Sequence, residues 1–155
     1  WSLYIPNGRT IDHEHYQYKL QWLKALSETA RTELATYPDL ALLGDFNVAP
    51  TDDDVYDMAA FAKDTHVTPR ERAAFQGFLD DGFADVARPH CPGPDTFTYW
   101  DYYRQRFERN RGMRIDFVLG SPSLANRVTG AFIDRDERAG QGASDHAPVV
   151  VTVAD

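Results

Sequence analysis

Asp45 and Asn47 lie two residues apart in "LALLGDFNVAPTDDD", directly after a short apolar run. Such a run fits a buried strand. If the backbone stays extended through Asn47, the two side chains point to one face. A carboxylate and an amide at the carboxyl edge of a strand can orient a water and hold a phosphate oxygen, although Asp and Asn are also common in ordinary strand-end turns. A second pair, Asp145 and His146, stands at the mouth of the final strand in "GASDHAPVVV", after the Gly-rich "AGQG". Loops held on rigid strands are where catalytic groups concentrate, and His can hold or transfer a proton near neutral pH.

Asp116 sits inside "RIDFVLG" among the apolar residues Ile115, Phe117 and Leu119. A carboxylate embedded there is costly without a partner. His146 is one candidate, because an Asp that accepts from imidazole fixes its tautomer and favours its protonated form. Arg114 and a nearby backbone N–H are the others, and spacing does not choose among them. Tyr99, Trp100, Tyr102 and Tyr103 precede the stripe "RQRFERNRGMR", Arg104 to Arg114, which carries five Arg against one Glu. Aromatics interleaved with Arg suit stacking and phosphate contact, with Arg111 on the same stretch and Met113 there read as exposed. His13, His15, His66 and His90 show no metal-ligand spacing and read as surface or core. Cys91 reads as a bystander.

The elements that must position these groups follow from periodicity and punctuation. Residues 2–5 read as a strand ending at Pro6, with a turn at "PNGR". Helical spacing from about His13 to Thr36 is carried by Tyr16, Leu20, Leu23, Leu26, Ala30 and Leu34, with Asp12 as N-cap and Pro38 beyond the end. Thr51 and Asp54 resemble a capping box opening a helix over about 52–62, and Asp52 to Asp54 suit the positive end of its dipole. Thr68, Pro69 and Glu71 start a helix to about Asp81, stopped by Gly82. "TFTYW", "RIDFVLG", "RVTGAFI" and "APVVVTV" read as strands, and Ser121-Pro122 starts a short helical turn. Helices and strands alternate early and strands pair late, which predicts an α/β layered sandwich.

Length and composition bound the function. A chain of 155 residues, 43% hydrophobic and 26% charged, fits one soluble globular unit with a sizeable core. No apolar run is long enough for a membrane span, and no leader is visible at the start. One cysteine excludes an internal disulfide and fits a reducing, cytoplasmic setting. The net charge of −8 argues against non-specific attraction to nucleic acid or anionic lipid. The Arg stripe is therefore the candidate anion-binding face.

The order of four motifs, "YIPNGR", "GDFNVAPTDDDV", "NRGMRID" and "SDHAPV", resembles the exonuclease III type of apurinic/apyrimidinic endonuclease, within the endonuclease/exonuclease/phosphatase superfamily. The resemblance runs from Tyr4 to Val153. It implies a two-sheet α/β sandwich with an internal pseudo-repeat. It also implies an activity that cuts the phosphodiester 5′ to an abasic site with Mg²⁺ (Mn²⁺ a possible substitute), together with 3′–5′ exonuclease and 3′-end trimming. By resemblance, Asp45 orients or deprotonates the attacking water and Asn47 binds the scissile phosphate. His146 contacts the same phosphate or serves as base, and Asp116 orients His146. Tyr4 contacts the phosphate or assists the leaving oxygen, and Asn7 holds a phosphate oxygen. Asp145 lies next to the metal. Tyr99, Met113 and Ile115 form the pocket for a flipped-out abasic sugar, with Arg9, Trp100 and Arg111 as further substrate contacts.

The resemblance covers the C-terminal half of a family member. The family's early Asn and its principal metal-binding Glu match nothing here, so a native protein longer by roughly a hundred residues is expected. The fragment alone is expected to be inactive and to expose an unpaired sheet face. The implied partner is duplex DNA with abasic or 3′-blocked sites, met by a cytoplasmic, nucleoid-associated protein if bacterial, a monomer when complete and with no membrane partner. Two alternatives remain open. One is a superfamily sibling acting on phospholipid or inositol-phosphate esters. The other is a non-catalytic DNA- or protein-binding lobe.

Overall fold

The computed structural model describes residues 1–155. The chain opens with β1 (Ser2–Tyr4), crosses over through the long helix α1 (Glu14–Thr36) and returns as β2 (Ala41–Asp45). Helices α2 (Met58–Phe61) and α3 (Pro69–Asp80) lead to the two-residue β3 (Ala84–Asp85). A long irregular stretch precedes β4 (Asp116–Gly120) and α4 (Pro122–Ala125). The chain ends with β5 (Val128–Ile133), α5 (Arg135–Ala139) and β6 (Val149–Val153). The strands make a four-stranded sheet in the order β1-β2-β4-β3 and a separate two-stranded sheet of β5 and β6. This is the expected mixed α/β layering. β1 runs parallel to β2, and β4 is antiparallel to both β2 and β3.

Alternation along the strands decides which face is dry. Leu42 of β2 and Phe117 and Leu119 of β4 turn toward α1 and α3. There they join Leu23, Leu26, Ala30, Phe75 and Phe78 in the main core. Phe46 lies at its centre, meeting Phe75, Phe78 and Phe117 edge-on at 5.7, 5.9 and 5.8 Å between centroids, the geometry aromatic quadrupoles prefer. Leu43, Asp116 and Val118 point to the opposite face, where they share a hollow with Val149 at the start of β6. Gly44 is required here. Its φ is +135°, and a Cβ would stand 2.0 Å from the Leu3 carbonyl oxygen, so only Gly lets β1 run alongside at this register.

The expected helix start at Thr68 is present as a full capping box with Glu71 and with Pro69 in the first turn. Elsewhere the structure corrects the sequence reading. His13, not Asp12, caps α1, its Nδ1 accepting the His15 N–H at 3.1 Å. The single helix expected over 52–62 is broken. The Thr51–Asp54 box forms, but only one 3₁₀ turn (Asp52–Asp54) follows before α2. Val55 bridges Met113, and the Tyr56 N–H donates to the Gly112 carbonyl at 3.1 Å, so tertiary pairing draws residues 55–56 into extended backbone. "TFTYW" is no regular strand, as Tyr99 makes only isolated bridges to Met113 and His146. α5 lies in a stretch with no helix signal beyond its charges.

Candidate active site

The register of the larger sheet places the first functional groups. Tyr4 pairs with Asp45, and Asp45 with Asp116, so three side-chain positions form one row across β1, β2 and β4. Two carboxylates directly opposite each other repel. Burial and then the Asp116 charge push Asp45 up to about 6. Asn47 reaches Asp45 by a turn and not by extended backbone. Its φ is +50°, its N–H donates to Asp45 Oδ1 at 2.7 Å, and its Nδ2 donates to Asp45 Oδ2 at 2.9 Å. The same Nδ2 donates to the Ile5 carbonyl at 2.9 Å. Asn tolerates this left-handed conformation better than most residues, and the turn aims amide and carboxylate at the same space.

Asp116 answers the question the sequence left open. Its Oδ2 lies 2.8 Å from His146 Nδ1 and accepts the Thr98 hydroxyl at 2.6 Å. Thr98 is fully buried and its Oγ1 accepts the Ile115 and Asp116 N–H groups at 3.1 and 3.2 Å. Burial lowers the His146 pKa, but the hydrogen bond and charge of Asp116, then the charges of Asp45 and Asp145, raise it by more, and the net shift is upward. One ligand atom each from Asp45, Asp116 and His146 lies within 4.8 Å of the others. Two carboxylates and an imidazole are a donor set that could hold a divalent cation.

These groups face a cavity of about 390 Å³. One wall is polar, built from Asn7, Asn47 and His66. The other is Tyr99, Met113 and Ile115, with Tyr4 and Asp145 also on the lining. Met113, against its expected exposure in the Arg stripe, is buried with Ile115 in a small cluster with Val55 and Phe61. Tyr99 stands 5.0 Å from the His146 ring, and burial with the charges of Asp101 and Asp145 pushes its phenol up to about 12, so it stays a neutral contact.

Three sequence expectations change. Trp100 is a core residue: it is 1% exposed, packs with Phe97 and Ala147, and its Nε1 donates to Asn110 Oδ1 at 3.0 Å. A side chain so enclosed has no face left for a substrate. Arg114 leaves the basic stripe for the interior, where its guanidinium pairs with Asp54 at 2.7 Å and Asp85 at 2.5 Å. Asp54 is equally buried and also holds Arg88, so it is not one of a row of helix-dipole carboxylates. Arg111 is exposed and lines a separate hollow with Tyr56 and Arg109. Arg9 is exposed, its N–H donating to Asn7 Oδ1 at 3.0 Å.

Sequence reasoning missed His66 and Thr98. His66 Nδ1 lies 2.7 Å from the Thr65 carbonyl, which can only accept, so that nitrogen carries the proton. Nε2 is left facing Asn7 Nδ2 at 3.2 Å and Asn47 Oδ1 at 3.1 Å. Burial and then the nearby Lys19 ammonium lower the ring to about 4, so it is neutral at pH 7. The only signal for either residue was indirect: His66 precedes the Thr68 capping box, and Thr98 sits among aromatics.

The larger sheet thus carries a row of side chains at its edge that feeds an Asp–His pair and an amide-lined pocket. The chain belongs to the Endonuclease/Exonuclease/phosphatase family, which residues 3–146 match. It is 33% identical over 153 residues to an exodeoxyribonuclease of Bacillus subtilis (98% of this chain, 58% of the relative). It is also 33% identical over 154 residues to exodeoxyribonuclease III of Haemophilus influenzae (94% and 58%). Among solved structures it resembles a 3′ phosphatase from Neisseria bound to a product DNA hairpin, with a TM-score of 0.95 at 38% identity, covering 99% of this chain and 60% of that one. An AP endonuclease from Archaeoglobus fulgidus gives a TM-score of 0.93 at 34% identity (98% and 60%). The chain thus spans about three-fifths of the length of these relatives. No helix is long and apolar enough to cross a membrane.

Proposed function

We propose that the complete protein is a Mg²⁺-dependent DNA-repair phosphodiesterase that cleaves 5′ to abasic sites, with 3′–5′ exonuclease and 3′-end-trimming activity. This chain would form the C-terminal half of its catalytic domain. The observation that carries the reading is the convergence of Asp45, Asp116 and His146 on a pocket with one amide-lined and one apolar wall. Hydrolysis of a phosphodiester needs an in-line water, neutralised oxygens and a stabilised leaving group. In this reading Asp45, anchored by Asn47, orients or deprotonates the water. Asn7 offers an amide donor to a phosphate oxygen, and Asn47 Nδ2 would exchange its bond to Asp45 for one to the scissile phosphate. His146, whose protonated form Asp116 favours, stabilises phosphate charge, and the exposed Tyr4 hydroxyl serves the leaving oxygen. Tyr99, Met113 and Ile115 give a face without base-edge readers, suited to a sugar that lacks its base.

The donor set fits Mg²⁺, which prefers hard oxygen ligands and retains several waters. Asp45 and Asp116 would hold it, with Asp145 beside it and the principal Glu on chain outside this span. When bound it supplies Lewis acidity and charge neutralisation. The Neisseria relative bound to a DNA hairpin supports DNA over a lipid or inositol phosphate as the substrate. In the complete protein, Mg²⁺-dependent nicking of a duplex with one abasic analogue, and removal of a 3′-phosphate from a nicked duplex, are expected to vanish with EDTA. Equal cutting of undamaged duplex, or no cutting of either substrate, would reject the proposal.

A further inference from the structure

Beneath the polar wall of the pocket lies an ion pair that the mechanism above does not use. Lys19 of α1 and Glu71 of α3 are both 0% exposed, 2.5 Å apart. The Lys19 ammonium also donates to the Asn47 carbonyl at 2.5 Å, and to the Asn7 carbonyl and Thr65 Oγ1 at 3.2 Å each. Glu71 Oε1 accepts the His66 N–H at 2.9 Å and the Thr65 hydroxyl at 2.5 Å. Its Oε2 accepts the Thr68 N–H at 3.2 Å and the Thr68 hydroxyl at 2.7 Å. A single buried pair thus ties together three chain segments, and each presents one polar side chain to the pocket: Asn7, Asn47 and His66.

Each segment is also bent where it is tied. Asn47 and His66 have φ of +50° and +84°, and Gly8, next to Asn7, has φ of +92°. A Cβ on Gly8 would come within 2.9 Å of Thr65 Oγ1 and 3.1 Å of Lys19 Cδ, so the turn is packed onto the pair itself. Left-handed non-glycine residues persist where the surroundings over-determine them. The Ala49 N–H, donating to the His66 carbonyl at 2.8 Å, links two of the three segments directly. The apolar core already docks α1 on α3 through Leu23, Leu26, Phe75 and Phe78. A buried ion pair is weak as a stabiliser compared with apolar side chains of the same volume. What only this pair supplies is N–H donors on the Asn7 and Asn47 carbonyls and carboxylate oxygens on the His66 and Thr68 N–H groups.

We infer that Lys19 and Glu71 are positioning residues that preset Asn7 and Asn47 for a tetrahedral phosphate, with His66 Nε2 placed to accept from the Asn7 amide. The inference deepens the proposed phosphodiesterase reading and rests on it for its kinetic part. Loss of the pair leaves the residues that touch substrate in place but misaligned, so chemistry suffers more than binding. Lys19→Met, Glu71→Gln and the double variant of the complete protein test this. In the double variant neither charge is left unpaired, so its Tm is expected to stay within about 5 °C of the parent. Its single-turnover rate on an abasic or 3′-blocked duplex is expected to fall about 30- to 100-fold. Its DNA Kd should move by less than about 3-fold. A double variant with parental Tm and parental rate would overturn the inference, and so would an affinity loss as large as the rate loss.

A second measurement needs no substrate. Hydrogen exchange at the Asn47, Ala49, His66 and Thr68 amides should speed up about tenfold or more in the double variant, while amides of the α1–α3 core stay protected. Unchanged protection at those four amides refutes positioning, whatever the enzyme cuts. If the parent protein cuts neither substrate, the functional reading fails by itself, and the exchange result still decides the role of the pair.

Discussion

The pocket and the Arg104–Arg111 segment are both rich in polar groups, yet they are built in opposite ways. In the pocket the central side chains have partners that fix them: Asp45 is held by Asn47, Asp116 by Thr98, His146 by Asp116. In the Arg segment the side chains are mostly exposed, and Arg104, Gln105 and Asn110 take left-handed backbone, with φ of 58°, 52° and 49°. Arg106 and Arg111 lie over the Tyr56 ring at 5.8 and 5.9 Å without a carboxylate partner. Chemistry needs groups held close to one geometry, whereas backbone tracking needs charge that adapts to a phosphate chain. The comparison therefore predicts rate defects without binding defects in one region and the reverse in the other.

The largest effect is expected at Asp45. Asp45→Asn keeps the shape of the strand end but removes the carboxylate. The rate in the complete enzyme should fall by about 10³ to 10⁴. DNA affinity should stay near the parent value or improve, because a negative charge leaves the phosphate site. Equal losses in rate and affinity would make Asp45 a binding or structural group and erase the contrast with the Arg segment.

Asp116→Asn tests how the pocket fixes its histidine. Losing orientation should slow the reaction about 10- to 100-fold. The titrations give a sharper readout. Asp116 raises both His146 and Asp45, so its removal should lower both. In the metal-free parent, burial and the Asp116 charge hold the Asp45 carboxyl up at about 6. In metal-free Asp116→Asn that midpoint, read by NMR, moves to lower pH, and the His146 midpoint falls as well. The linkage has one sign for both groups. A folded pKa above the unfolded one gives stability that is full below the unfolded value and is lost as pH rises through the folded value. The parent should therefore lose stability from about pH 4 upward through the Asp45 and His146 titrations, and Asp116→Asn should lose less. An unmoved Asp45 midpoint would mean that Asp45 and Asp116 are not electrostatically coupled across the sheet.

The sequence showed the rigid region better than the adaptable one, for a physical reason. Asp45, Asn47, Asp116 and His146 lie at strand ends, and strand ends are marked by short apolar runs that break into polar residues. The helix from Pro69 was legible because its cap and stop are local. What failed was decided by distant pairing. The helix read over 52–62 gave way to backbone contacts with Gly112 and Met113. Arg114 looked like one Arg among five until Asp54 and Asp85 drew it inside. Trp100 looked like a stacking platform, but Phe97, Phe107 and Asn110 enclose it. His66 read as surface or core because nothing near it in sequence names its partners, Asn7 and Asn47.

The smallest effect is expected at Arg111, and it completes the comparison. The side chain is exposed and leans on Tyr56, a contact worth about 0.5–1 kcal/mol at such sites. Its substitution should not disturb the buried Asp54–Arg114–Asp85 network beneath it. Arg111→Ala in the complete protein should leave the single-turnover rate at saturating DNA unchanged. Affinity should fall only a few-fold, and the slope of log affinity against log salt should become shallower by about 1, the signature of one lost phosphate contact. The slope matters more than the affinity, because a structural defect also weakens binding but releases no fewer counterions per complex. An unchanged slope would remove Arg111 from the DNA-facing surface. A fall in saturated rate would show instead that the adaptable segment also positions the scissile bond, and the division between the two regions would fail.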